Sequence, residues 1–144
     1  MIEILVPGEA KSERKRQRFI HTKTGATVGH RTDEPDRADH KASIRHEARA
    51  IVETPLPCPL EVTIIVRKPK PASTPKRPTK TNPWPWAWWK KPDCSNFTKL
   101  IEDALNKVAW EDDAQIIDLH VHKRFGEKHE TVIRIDEAQE GTEP

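Results

Sequence analysis

The stretch KKPDCSNFTKLIEDALNKVAWEDD, Lys90 to Asp113, decides how this chain is read. Phe97, Leu100, Ile101, Ala104, Leu105 and Val108 recur at i, i+3, i+4, i+7, i+8 and i+11. That is one continuous apolar stripe and predicts an α-helix over about Ser95 to Val108. Pro92-Asp93 ahead of it is helix-start chemistry. Asp93 or Ser95 can accept from a free backbone N–H of the first turn, and a carboxylate suits the positive end of the helix. Lys107 suits the other end, and Lys99 and Asp103, one turn apart on a flank, are placed to pair. Glu111, Asp112 and Asp113 fall beyond the helix, where no helix-end argument accounts for three adjacent acids.

Working outward, Ile117, Leu119 and Val121 alternate with Asp118, His120, His122 and Arg124, which predicts a strand with its apolar face buried. Gly126 marks a turn and TVIRID (131–136) the returning strand. On the N-terminal side, residues 69–92 hold seven prolines, which forbid a helix or a central strand. This extended loop also carries Trp84, Trp86, Trp88 and Trp89, rings that pack on the domain or a second subunit, or stack on bases. Before it, LEVTIIVRK (60–68) alternates as a strand. Residues 35–52 carry a weaker helical stripe of Ala38, Ala42, Ile44, Ala48 and Ile51. Residues 9–33 read as a polar loop or open hairpin, and MIEILVPG as a first short strand. The order predicts an α+β domain over 1–144, with two helices on one face of a small mixed, mostly antiparallel sheet. Residues 137–144 form a frayed acidic tail.

Of the 144 residues 34% are hydrophobic and 33% charged, so the core is thin. The net charge is only +2, yet the charge is unevenly spread. Lys11, Arg14, Lys15, Arg16 and Arg18 crowd one segment. Lys68, Lys70, Lys76, Arg77, Lys90 and Lys91 follow in a second, and both fit phosphate contacts with a polyanion. Cys58 and Cys94 form no CxxC pair, which points to a reduced protein without a disulfide framework or structural zinc. With no long apolar run for a span or signal peptide, the expected location is the cytoplasm.

Adjacent acids repel and hold their protons unless a cation neutralises them. A hard cation such as Mg²⁺ takes one or two carboxylates and completes its shell with water or phosphate. Asp93 and Asp113 can share one, with Asp112 beside them, if the chain doubles back along the helix, which is about 20 Å long at ~1.5 Å per residue. Such a site beside basic loops suits phosphodiester cleavage. His120, His122 and His129 form a weaker candidate metal set.

The dense run Lys91-Pro92-Asp93, Asn96, Lys99, Asp103-Ala104-Leu105-Asn106, Asp112-Asp113 and Gln115-Ile116 resembles the RusA family of Holliday-junction resolvases, typical of phages and prophages. The family pattern is K-P-D-x-D-N-(x)2-K, then D-A-L-(N), then D-D-x-Q-(V/I). The resemblance implies a homodimeric, Mg²⁺-dependent endodeoxyribonuclease, with Mn²⁺ as an expected substitute, that makes paired nicks in four-way or other branched DNA. By the same resemblance Asp93, Lys99 and Asp113 are catalytic, and Asp93, Asp112 and Asp113 hold the metal. Ser95, Asn96, Asp103 and Gln115 then support the site. Ser95 departs from the pattern, standing where the family has a second aspartate, which costs the site one charge and one strong oxygen. The alternative is therefore a protein that binds junctions with weak or lost cleavage.

Overall fold

The computed structural model describes residues 1–12, 15–21, 27–33 and 35–141. Strand β1 (Ile2–Pro7) is followed by a separate two-stranded antiparallel hairpin of β2 (Lys15–His21) and β3 (Thr27–Asp33), then by helix α1 (Pro35–Arg49) and β4 (Leu60–Pro69). Helix α2 (Cys94–Leu105), a short 3-10 turn (Asp113–Gln115), β5 (Ile116–Gly126) and β6 (Glu130–Glu137) complete the order. The main sheet runs β1-β6-β4-β5, antiparallel except for the β4–β5 pair, which is parallel. The two helices pack on each other and on one face of this sheet. The α+β architecture read from the sequence is the one observed, and no helix among the described residues is long and apolar enough to cross a membrane.

The core follows from alternation meeting a helical stripe. Leu60, Val62, Ile64 and Val66 of β4 are all fully buried, as are Ile4 and Val6 of β1 and Ile133 of β6. Phe97, Leu100, Ile101, Ala104 and Leu105 of α2 close over them. Each large apolar side chain removed from water here stabilises the fold by about 1.5–3 kcal/mol.

Four local expectations give way. Helix α2 stops at Leu105, short of Val108: Asn106 turns extended, Lys107 takes a positive φ of 68° and its N–H donates to the Trp110 carbonyl. Lys107 is thus outside the helix and cannot complement its dipole. Ser95 is not the N-cap, which is Asp93; Ser95 lies in the first turn, and the Asp93 side chain caps nothing. On α1 the buried positions are His40, Lys41, Ile44 and Ala48, while Ala38, Ala42 and Ile51 are exposed. Finally, β5 is an edge strand, so Ile117 and Leu119 are 61% and 41% exposed, and a register shift opposite Leu60/Glu61 throws Ile117 outward.

Lys41 explains a fifth difference. Its ammonium is buried and pairs with Asp103, so Asp103 ties α1 to α2 and does not pair with Lys99. Asp103→Ala withdraws a carboxylate from a buried cation. We expect a loss of about 2 kcal/mol, below the roughly 3–5 kcal/mol of a fully buried pair because Asp103 is itself half exposed. Urea denaturation reads this directly, and an unchanged midpoint would refute the role.

Candidate nuclease site

The N-terminus of α2 and the end of β5 meet at Lys123. Beyond the register shift, from Leu119 onward, the odd-numbered residues of β5 share the face of buried Val62, Ile64 and Val66, and after Leu119 and Val121 that face presents a lysine where the alternation asks for an apolar side chain. The Lys123 ammonium donates to the carbonyl oxygens of Lys90 at 2.7 Å and Pro92 at 2.9 Å. It thereby pins the segment that delivers Asp93. Burial pushes the Lys123 pKa down, Cys94 and Asp93 pull it back up, and Lys68 pushes it down. Asp93 is exposed and its side chain makes no capping bond, leaving its carboxylate available.

The opposite end of α2 holds the second acid cluster. After Lys107 the chain turns tightly, and buried Trp110 donates its indole N–H to Asp113 Oδ1 at 2.6 Å. Asp112 caps the 3-10 turn: its Oδ1 accepts from the Ala114 N–H at 2.9 Å, and its own N–H donates to the Gln115 side-chain carbonyl at 2.8 Å. Gln115 also donates to the carbonyls of Leu56 and Cys58 at 2.7 and 2.9 Å, fixing the turn to the start of β4. Asp112 thus has structural work that the sequence reading did not give it, while Gln115 has a supporting role of the kind expected. Glu102, half-buried on α2, has its pKa raised first by burial and then by the charge of Asp113. Two carboxylates face one another there, at a position absent from the sequence-based candidates.

Asp93 and the Glu102–Asp113 pair do not meet within one chain. Strand β5 runs antiparallel to α2, as doubling back requires, but it begins only after Asp113. The return leg therefore carries Lys123, and not Asp113, to the level of Asp93. From Ile116 to Lys123 the strand advances about 23 Å, and α2 is ~18 Å long. By these two measures the acidic ends are separated on the order of 20 Å. Among the described residues no group of three or more His, Cys, Asp or Glu is gathered to hold a metal ion. His122 instead meets the Arg124 guanidinium at 3.1 Å.

Of the remaining candidates, Lys99 is exposed on α2, and Asn96 donates its backbone N–H to the Asp93 carbonyl at 3.1 Å. Lys68 and Lys90 flank Trp88 and Trp89 on the proline-rich loop, while Lys70, Lys76, Arg77 and Lys91 are exposed along the same segment. Lys11 faces Glu9 and Asp36 at 3.5 and 3.9 Å. Arg14 lies outside the described residues, and Lys15, Arg16 and Arg18 are placed by their backbone on β2.

The family model described as Endodeoxyribonuclease RusA matches residues 7–136. A stretch of 88 residues is 32% identical to the "Uncharacterized protein YqaN" of Bacillus subtilis (strain 168). That match takes in 59% of this chain and 62% of the relative, so the chain spans somewhat under two thirds of that protein's length.

Proposed function

The chain belongs to the RusA endodeoxyribonuclease family, and from that premise we propose that it cuts four-way and related branched DNA with a divalent cation, as a two-fold dimer. The observation that carries the reading is the placement of available carboxylates at the two ends of β5. Strand β5 is an unpaired edge with exposed Ile117 and Leu119. An antiparallel second copy along that edge sets the start of one β5 beside the end of the other. Asp113 and Glu102 of one copy then approach Asp93 and Lys123 of its partner, twice per dimer. Two equivalent sites match the near two-fold symmetry of a four-way junction and the paired nicks it requires.

The donor set fits Mg²⁺ in kind. Glu102 sits beside the charge of Asp113 with its own proton held too tightly, which is the condition a hard cation relieves, and Asp93 adds a free carboxylate. The ion, when bound, polarises the phosphate and lowers the pKa of water. The protein's share is to aim these oxygens, to hold Asp93 in place through Lys123, and to present Lys99 and the loop lysines to the phosphates. Incubation with labelled four-way junction and matched duplex, in Mg²⁺ or EDTA, tests the proposal. Paired Mg²⁺-dependent incisions near the branch, lost in Asp113→Asn, are expected; binding without incision in any divalent ion would sink it.

Two further outcomes belong to this reading. Because the Glu102 pKa is raised, the folded state favours the protonated carboxyl, and stability falls as pH rises through that pKa. Glu102→Gln therefore raises Tm at pH 7 in EDTA by about 2 °C, with the gap closing as pH is lowered. Mg²⁺ raises the Tm of the parent protein and leaves that of the variant nearly unmoved. Equal Mg²⁺ responses would remove Glu102 from the site. Ser95→Asp returns a carboxylate to the first turn of α2, two residues from Asp93, and is expected to raise the cleavage rate about tenfold by tightening the metal; a Mg²⁺ titration of the nicking rate checks it.

A further inference from the structure

The proline-rich loop of residues 69–92 folds back over the ends of β4 and β5 and encloses a cavity of about 280 Å³. Its walls include Trp88, Trp89, Phe125, Lys68, Lys90 and Asn82, and no acidic residue lines it. Trp88 is the floor of this structure: it is buried, stacks on Phe125 at 6.4 Å and meets the edge of Phe97 at 5.6 Å. Lys68 sits over its ring at 4.4 Å and Lys123 at 5.4 Å, while Lys90 lies over Trp89 at 5.5 Å. Lys68 and Lys90 thus bring two ammonium groups to a wall with no counter-carboxylate, while Lys123, outside the lining, has Asp93 nearby.

Trp89 is 44% exposed and yet fixed. Its indole N–H donates to Asn82 Oδ1 at 2.9 Å, the same oxygen accepts from the Trp84 backbone N–H at 3.2 Å, and Trp84 meets Trp89 edge-on at 5.4 Å. A large ring is thus presented to solvent in one orientation, which collapse for burial alone would not produce. The Trp88 indole N–H is buried without an acceptor. An acid-free cavity with aromatic walls and lysines has the chemistry to receive a nucleotide: a π-face for a base to stack on and cations for its phosphate.

The cavity also adjoins the nuclease site. Lys90 lines it, and Lys123 grips the Lys90 and Pro92 carbonyls one residue before Asp93. We propose that this cavity receives one unpaired nucleotide of the DNA strand next to the cut phosphate, its base against Trp89 and its phosphate against Lys68 and Lys90. The inference rests on the nuclease reading for its biological substrate. It means that branched DNA is selected by an exposed base, which intact duplex withholds.

The test is binding in EDTA, so that no cleavage is required. The intact protein is titrated with pentathymidylate, with a four-way junction and with matched duplex, for the parent, Trp89→Ala, Trp89→Phe and Lys90→Ala. Trp89→Ala is expected to weaken pentathymidylate and junction binding about tenfold while sparing duplex, and Trp89→Phe to restore most of it. Circular dichroism confirms that each variant is folded. An oligonucleotide carrying 5-iodouracil at the branch should photo-crosslink to a peptide within 73–90. Equal losses on all three DNAs, or crosslinks confined to the β2–β3 hairpin, would overturn the proposal. Crosslinking to the loop in a protein that never nicks would uphold the cavity while refuting the nuclease. Nicking with unaltered junction binding in Trp89→Ala would do the reverse.

Discussion

Asp93→Asn and Asp113→Asn proteins are each expected to be inactive alone and to recover cleavage when mixed and allowed to exchange subunits. The reason is the separation of the two acids along β5. If each site takes Asp93 from one copy and Asp113 from the other, a mixed dimer contains one site with both carboxylates intact and one with neither. Random exchange at equal concentrations makes half the dimers mixed, so about a quarter of the sites are restored. Those dimers nick one strand only, so the product on a four-way junction is a single incision, and paired resolution stays absent. Each single variant should fall by at least about 10²-fold, the usual scale for losing an oriented charged group in an active site. A site built within one chain predicts the opposite: every subunit in the mixture carries one defect, and no activity returns. A denaturing gel of end-labelled junction strands separates the two outcomes. The same variants should still bind junction DNA, since the lysines that contact phosphate are untouched, and binding should weaken steeply with salt.

What the sequence made legible, and what it did not, divides along one physical line. Features set by residues near one another in the chain were readable. The α2 stripe, the alternation of β4 and the turn at Gly126 all follow from periodicity, and their sum fixed the α+β class. Features set by where a segment goes next were not. Lys107 adopts a positive φ without being glycine, so nothing local marks the point where α2 stops and the chain turns. That turn decides whether Asp113 returns to Asp93 or stays behind. One usable signal lay in Asp112-Asp113-Ala114-Gln115, whose spacing of an acid and a glutamine three residues on is a capping box. It implied that Asp112 begins a helical turn and so was already committed. Lys123 carried another: a lysine in an otherwise apolar parity, which a strand tolerates only where the ammonium has acceptors within reach. Glu102 carried none, because its neighbour Asp113 arrives through tertiary folding. Lys41 misled in the other direction. A charged residue lowers the apparent amphipathicity of α1, yet Asp103 makes its burial tolerable, and the stripe runs through it.

Trp88→Ala is expected to be the most destabilising single change in the proline-rich loop, at about 3 kcal/mol, or on the order of 10 °C in Tm. Large-to-small changes at buried tryptophans cost about 3–5 kcal/mol through lost transfer energy and the cavity that remains. The low end applies because the indole N–H of Trp88 is buried without an acceptor, so the change also removes an unmet donor. The remaining cost is concrete. Phe97 and Phe125 lose the ring that joins α2 to the end of β5, and Lys68 and Lys123 lose the face they sit over. No other ring of the loop replaces it, since Trp84, Trp86 and Trp89 are exposed and the other buried residue there is the smaller Pro85. Residues 69–92, left with turn hydrogen bonds and the Lys123 grip on Lys90 and Pro92, should then become cleavable by trypsin at Lys76 or Lys80 under conditions where the parent resists. Trp88→Phe keeps the aromatic contacts and drops the unmet donor, so its cost should stay below about 1.5 kcal/mol. Urea denaturation of the three proteins, with proteolysis followed by mass spectrometry, reads both effects. A Trp88→Ala protein as stable and as protease-resistant as its parent would show that the loop is anchored elsewhere.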